Sequence, residues 1–535
     1  MIIGKPFLFS RIFNIILICL LFLISFSYFL YGYQFFDLRT YNFDEAISAY
    51  GAVNILEGRL PYRDFWTFHA PGRFYILAAI FKIFGINLKV ACLFAIFILS
   101  LTASGIYVFV SKICSKIYGL FAFLLSLAWL KFYIVYNRPG QFAILFYISC
   151  LFPLLNYLSS GKSKNLIIAG ILTGIIGLFR MDFMIYNFIS LFLIVLLKKL
   201  NDLGGKNMGL KIKLILKDGF YLSIGVFSIF LPIFVYFINS GGFKEVSGFV
   251  LSNIWQKNRH IPLPELKADT LIFYLPLIML SFVFFKLVFY DLRSKVKNRI
   301  FWLTVFLLFS GIFLYSYTIR RADENHFIPT MIPIIALFVL LYYDFAGKLN
   351  KLPRFCKGLI WFLSFLICFF LLLYSARPYF KKMQLLSQDK ENGRLDINRA
   401  KGFYDLSEYA QAQVGAIKYI QSKTKIDDPI FVGNLRHDKL VNNEVMFYFL
   451  SERKSATKYY QFEPGFTTTK VVQQKIVSDL IKTNVQYIIL CTVSEEICEP
   501  NESCKSSGVK ELDSFIQNNY VVENTFRDFL ILKHR

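Results

Sequence analysis

Residues 12–31 read IFNIILICLLFLISFSYFLY, twenty consecutive positions without a charged side chain. A helix rises about 1.5 Å per residue, so such a run crosses the roughly 30 Å hydrocarbon core of a bilayer. Lys5 and Arg11 precede it, it is too long for a signal-peptide core, and no small-residue cleavage site follows. It therefore reads as a retained signal anchor. Runs of the same kind lie near 8–31, 88–111, 118–136, 140–158, 165–181, 183–200, 218–238, 271–290, 300–318, 327–345 and 358–375. Eleven spans predict a polytopic α-helical membrane protein.

Composition agrees. Of 535 residues 56% are hydrophobic and 18% charged, with 61 Phe, against about 45–50% and about 25% in ordinary soluble domains. That excludes a cytosolic enzyme, a disordered chain and a disulfide scaffold. The net charge of +24 raises nucleic acid as a partner. The distribution argues against it, since residues 377–535 hold 23 basic and 20 acidic side chains, leaving 36 basic and 15 acidic in the hydrophobic part. With the N-terminus cytoplasmic, the inner loops hold 20 Lys and Arg against four acids, and the outer loops 15 against 11. The positive-inside rule predicts this asymmetry for a multi-pass protein of the cytoplasmic membrane with its C-terminus outside.

Residues 1–375 then form a transmembrane domain with a first outer loop at 32–87, and residues 376–535 a soluble extracytoplasmic domain. Within the loop, Phe74–Phe84 is apolar but too short to cross, which predicts an interfacial or re-entrant helix. The tail alternates helical stretches (Gln411–Lys423, Glu444–Lys454, Val471–Lys482) with strands (Ile430–Val432, Val485–Cys491, Phe529–Leu532), as in a small α/β domain. Cys498 and Cys504 are spaced to close a short loop disulfide, and no zinc-ligand spacing occurs.

The first outer loop holds the densest chemistry: Tyr41-Asn-Phe-Asp44-Glu45-Ala, Gly58-Arg59-Leu-Pro61-Tyr62-Arg63-Asp64-Phe, and His69-Ala-Pro71-Gly72-Arg73. Asp44 and Glu45 read equally as the start of a helix over Ala46–Leu56, where the dipole favours acids. Each arginine alone reads as a snorkelling anchor. As a group, carboxylates beside Arg63, His69 and Arg73 suit a site that moves a sugar off a phosphate: a base for the acceptor, cations for the leaving group. Further charges meet the same outer face at Arg138, at Arg180/Asp182 and at Arg320-Arg321-Ala-Asp323-Glu-Asn-His326. Charges wedged between spans face a wet cavity or one another. Arg180/Asp182 is thus open to reading as a structural ion pair and His326 as a satisfied interfacial histidine. Arg259 lies in the loop 241–269, at a possible acceptor entrance.

The order of these motifs resembles the GT-C glycosyltransferases, in the family-39-like branch with protein O-mannosyltransferases and lipid A aminoarabinose transferase. The likeness rests on Asp44-Glu45, on Gly58-x-x-Pro61-Tyr62-Arg63-Asp64, on Pro71-Gly72 before an apolar helix, and on Arg321-Ala-Asp323-x-x-His326-x-x-Pro329. It implies a polyprenyl-phosphate-linked sugar as donor, a lipid, glycan or protein acceptor, membrane lipids as surroundings and no nucleic acid. It also implies transfer outside the membrane with inversion, Asp44 as the catalytic base, and Glu45 completing the acid pair. His69 stands where relatives often carry a phosphate-contacting Lys, with Arg63, Arg73, Arg320 and Arg321 as the other candidate phosphate ligands. Asp64, Arg138, Arg180, Asp182, Arg259, Asp323 and His326 are the expected cavity residues. The loop after the third span, Asn137-Arg138-Pro139-Gly140, lacks the acid that metal-dependent oligosaccharyltransferases use as a ligand, which implies no metal and no cofactor. The competing readings are an O-antigen-type polymerase or ligase, which would rely on late-loop arginines, and a lipid or glycan transporter.

Overall fold

The computed structural model describes residues 5–34, 38, 42–133, 138–202, 208–240, 260–267, 270–291, 298–348, 353–388, 393–439, 442–493, 499, 501, 503 and 505–535. Arg259, Cys498 and Cys504 lie outside these residues.

The membrane part consists of helices α1 (Lys5–Leu30), α2 (Asn42–Leu56), α3 (Gly72–Phe84), α4 (Leu88–Ile113), α5 (Lys116–Leu130), α6 (Pro139–Ser160) and α7 (Lys164–Phe179). There follow α8 (Met181–Asp202), α9 (Met208–Asn239), α10 (Leu275–Lys286), α11 (Arg299–Arg320), α12 (Glu324–Lys348) and α13 (Arg354–Gln388). Among the described residues, nine helical segments are long and apolar enough to cross a membrane, and α5 and α7 are shorter apolar helices. Together these occupy the eleven places at which the sequence predicts spans. A single-turn 3₁₀ helix and a π turn flank α10, so the span expected at 271–290 is continuous but not uniformly α-helical. The last helix runs on through Gln388, so the junction drawn at 375/376 falls inside a helix.

Lys131 ties this bundle together at one end. It is buried, and its Nζ donates to the carbonyls of Tyr28 (2.9 Å), Phe29 (3.4 Å) and Tyr31 (2.8 Å) at the end of α1, with the Tyr379 ring 4.1 Å away. Helix ends leave carbonyls without partners, and a lysine there satisfies them and favours the dipole. Lys131→Met is expected to cost about 1–3 kcal/mol, read as a lower midpoint of thermal unfolding in detergent with α1 still inserted.

The tail is an α/β domain. Its helices are α14 (Glu408–Lys423), α15 (Val445–Ser451), α16 (Lys470–Lys482) and α17 (Glu511–Asn519). Its five strands are β1 (Pro429–Asn434), β2 (Lys454–Ser455), β3 (Tyr487–Cys491), β4 (Tyr520–Phe526) and β5 (Phe529–His534), in the order β2-β1-β3-β5-β4. β1 pairs in parallel with β2 and β3, while β5 is antiparallel to β3 and β4. The central strands β1 and β3 are apolar runs buried on both faces, as parallel strands covered by helices should be. Ser407 caps α14 by accepting from the Ala410 N–H. The elements absent from the sequence reading are β2, α17 and β4. β4 exposes most of its side chains and so carries little apolar signal.

The tail is docked on the loop between α1 and α4. Trp66 stacks on Phe466 with ring centroids 4.3 Å apart and planes 8° from parallel, and its backbone N–H donates to the Lys458 carbonyl. Tyr50 of α2 stacks on Tyr448, and its Oη accepts from the Ser455 N–H at 2.7 Å. The short helix expected at Phe74–Phe84 is α3. Its inner face (Phe74, Leu77, Ala78, Phe81) is buried, with Phe81 stacked on Phe449 of the tail, while Ile83 and Phe84 at its far end are exposed.

Candidate active site

Two glycines bring the loop helices together. A Cβ on Gly51 of α2 would lie 2.4 Å from the Phe74 ring of α3, and one on Gly72 would lie 2.5 Å from the Leu178 carbonyl oxygen of α7. Only glycine permits these approaches. They set the middle of α2, two turns beyond Asp44 and Glu45, against the first turn of α3, which carries Arg73, at the C-terminal end of α7. The turn between them is held by Tyr62, which adopts a left-handed backbone (φ 69°) and donates from Oη to the His69 carbonyl at 2.8 Å. A side chain at that φ is strained, and its buried ring compensates.

Glu45 and Arg73 are buried and Asp44 is half-buried. Burial pushes the Asp44 carboxyl up, but the positive groups of Arg138, His69, Arg73 and His326 together outweigh it and hold the carboxyl below its ordinary value. His69 and Arg73 of the same loop, and Arg138 and His326 from the ends of other helices, thus lie within electrostatic reach of Asp44. The Arg73 guanidinium is pushed down to about 10 by burial, opposed by Asp44 first and then by Tyr460, Glu45 and Tyr62. It stays cationic at neutral pH. Among the described residues its Nε, Nη1 and Nη2 have no hydrogen-bond partner, and the guanidinium lies 5.0 Å over the Phe74 face. A buried guanidinium with no acceptor is costly, and an anion held there would satisfy it.

A second set of charges borders this centre. Arg180 donates to Asp182 from Nε (2.9 Å) and Nη2 (2.5 Å) and to Tyr317 Oη from Nη1 (2.7 Å). The two readings of Arg180/Asp182 resolve toward an ion pair, extended by Tyr317. The His326 ring lies 4.6 Å from the Tyr317 ring, and His326 Nδ1 is 2.6 Å from Asp323 Oδ1. Asp323 also accepts from Arg321 Nε at 2.6 Å, and Arg321 grips Glu499 of the tail with Nη1 (3.1 Å) and Nη2 (2.5 Å). Burial pushes the Asp323 carboxyl up, but the His326 hydrogen bond and Arg321 overcome it and hold it low. The chain Glu499–Arg321–Asp323–His326 therefore connects the tail to the edge of the Asp44 centre.

Other expected residues sit apart. Arg63 is exposed, doubly hydrogen-bonded to Asp64 at 2.8 and 2.7 Å, and donates to the Ser240 carbonyl. Arg320 is exposed, and its carbonyl accepts from His260 Nδ1. Neither is among the groups acting on Asp44. Tyr317, Tyr460 and Glu499 belong to or border the site without having been singled out from sequence. Nothing local marks them, because an aromatic in a span or a tail looks like core.

Residues 68–240 match the model of a family described as dolichyl-phosphate-mannose-protein mannosyltransferase. The segment carries His69, Arg73, Arg138, Arg180 and Asp182. No curated protein matches the chain. Among solved structures, ArnT from Cupriavidus metallidurans bound to undecaprenyl phosphate is similar at a TM-score of 0.56 and 12% identity over 97% of both chains, and its apo state at 0.56 and 12% over 98% of both. The archaeal oligosaccharyltransferase AglB from Archaeoglobus fulgidus, in complex with an inhibitory peptide and a dolichol-phosphate, is similar at 0.54 and 11%, over 98% of this chain and 75% of that one. At such identities the likeness is one of fold. The chain thus has the fold of these membrane glycosyltransferase structures, and its residues 68–240 carry the likeness to the mannosyltransferase family.

Proposed function

We propose that the protein is a membrane glycosyltransferase that moves a sugar from a polyprenyl-phosphate donor to an acceptor hydroxyl at the outer side of the cytoplasmic membrane, with inversion. The observation that carries this reading is the buried guanidinium of Arg73, which among the described residues has no hydrogen-bond partner, beside the Asp44–Glu45 pair. An anion receptor next to an ionised carboxylate is what a single displacement at a glycosyl phosphate requires. The lipid phosphates bound in the similar ArnT and AglB structures support the donor class.

In the reaction Asp44 takes the proton of the acceptor hydroxyl. The acceptor oxygen bonds to the anomeric carbon from the face opposite the phosphate, and the carbon–oxygen bond to phosphate breaks with its electron pair on the leaving group. One base and no protein nucleophile suit inversion. Arg73 receives the growing phosphate charge, with His69 and Arg138 adding positive field. Asp44 then releases its proton to water. Arg63 and Arg320 are rim cations in this scheme, and Arg321 is a strut between span and tail. An O-antigen-type polymerase relying on Arg320 and Arg321 is disfavoured by the commitment of Arg321 to Asp323 and Glu499.

The test is mass spectrometry of cell-envelope lipids and glycans from cells with and without the gene, paired with transfer by the purified protein from the donor so identified. A glycan shortened by one sugar, restored by the wild-type gene, is the expected result. An envelope with every sugar in place and no transfer in vitro would overturn the reading.

A further inference from the structure

The donor groups around Arg73 do not all come from the membrane part. Tyr460 and Gln461, between β2 and α16 of the tail, are as buried as Arg73 itself. Among the described residues, Gln461 Nε2 has no hydrogen-bond partner, like all three Arg73 nitrogens, and Tyr460 Oη has none beyond the Thr67 hydroxyl beside it. Packing brings them to one place. The Arg73 guanidinium lies over the Phe74 ring, Phe74 meets the edge of Phe65 at 5.8 Å, and the Tyr460 ring packs on Phe65 at 6.0 Å and on Tyr50 at 5.2 Å. Arg73 and Tyr460 act on each other electrostatically.

Thr67 orients the amide. Its Oγ1 accepts from the His69 N–H at 3.3 Å and donates to Gln461 Oε1 at 3.2 Å, so the Gln461 carbonyl is used and the NH₂ is left over. Among the described residues, the buried donors left over here are thus three guanidinium nitrogens, an amide NH₂ and a phenol whose neighbour Thr67 already gives its proton to Gln461. A neutral sugar presents donors and acceptors in equal measure. A phosphate presents acceptors alone, which is the complement of this set.

We propose that Tyr460 and Gln461 of the C-terminal domain join Arg73 in one oxyanion subsite that holds the phosphate of the donor. The identity of the lipid rests on the transferase reading above; the presence of an oxyanion receptor does not. As the carbon–oxygen bond breaks, the phosphate goes from one negative charge to two, so fixed donors hold the leaving group more strongly than the donor lipid. The site is then complete only with the tail docked.

The experiment uses full-length protein in detergent, with undecaprenyl phosphate and inorganic phosphate as separate probes and undecaprenol as the uncharged control, and measures binding and thermal stabilisation. Tyr460→Phe keeps the ring and its packing, and Gln461→Glu keeps the acceptor for Thr67 while replacing the donor by a charge that repels phosphate. Both variants should fold as the wild type does and bind the two phosphate probes more weakly, on the order of 10-fold for Tyr460→Phe and more for Gln461→Glu, with undecaprenol unaffected. Phosphate binding equal to wild type in both variants, while Arg73→Met loses it, would overturn the tail's part and leave the transferase reading standing. Inorganic phosphate bound and lost on Tyr460→Phe, with undecaprenyl phosphate ignored by the wild type, would uphold the subsite and sink the lipid donor. A wild-type protein that binds neither probe would sink both.

Discussion

Asp44→Asn is expected to abolish sugar transfer while the protein is made and inserted as before. The amide has the shape of the carboxyl and cannot take a proton, and losing a positioned base costs on the order of 10²–10⁴ in rate. The guanidinium of Arg138 above all, with His69, Arg73 and His326, acts on this carboxylate and holds it ionised in spite of burial. Its pKa lies below the ordinary carboxylate range, so the base stays competent as pH falls from neutrality, and the acid limb of the activity profile should lie below about pH 4. The same sign governs stability. A carboxylate with a lowered folded-state pKa contributes stability above its unfolded pKa and loses it as pH falls through the folded value. Transfer by Asp44→Asn at the wild-type rate would remove the base from this residue.

Arg73→Met is expected to end activity and to leave the thermal midpoint unchanged or raised. Among the described residues the wild-type guanidinium has no hydrogen bond to lose, and its burial without an acceptor is a cost to the folded state. Methionine fills similar space over Phe74 without charge. Removing a cation that meets the leaving phosphate should cost on the order of 10²–10³ in kcat/KM. This opposition separates a ligand-binding residue from a structural one. A drop of several degrees in the midpoint, with activity lost only in proportion to unfolded protein, would assign Arg73 to the fold.

The spans were legible because twenty apolar residues admit few structures. The tail helices α14, α15 and α16 were legible from their periodicity and β1, β3 and β5 from their apolar runs. The first-loop half of the site could also be read, since Asp44, Glu45, His69 and Arg73 lie within one short stretch and their crowding is itself a signal. The rest depended on how helices pack. Nothing between residues 73 and 326 says that the start of α12 meets the start of α2, and crowding misled where charges neutralise locally, as Arg63 does on Asp64. Tyr460 was invisible for another reason: its hydroxyl has meaning only opposite a guanidinium almost 400 residues earlier.

That separation bears on biosynthesis. At about 5–20 residues per second, on the order of 20–80 s pass between translation of Asp44 and of Gln461. Throughout that interval the loop exists without its wall, Arg73 is open to water, and no assembled centre can act on lipids already in the bilayer. The Arg321–Glu499 bridge closes later still. On the proposed function, a chain cut before Gln461 lacks part of the phosphate subsite, so that synthesis of the tail becomes the step that completes the centre.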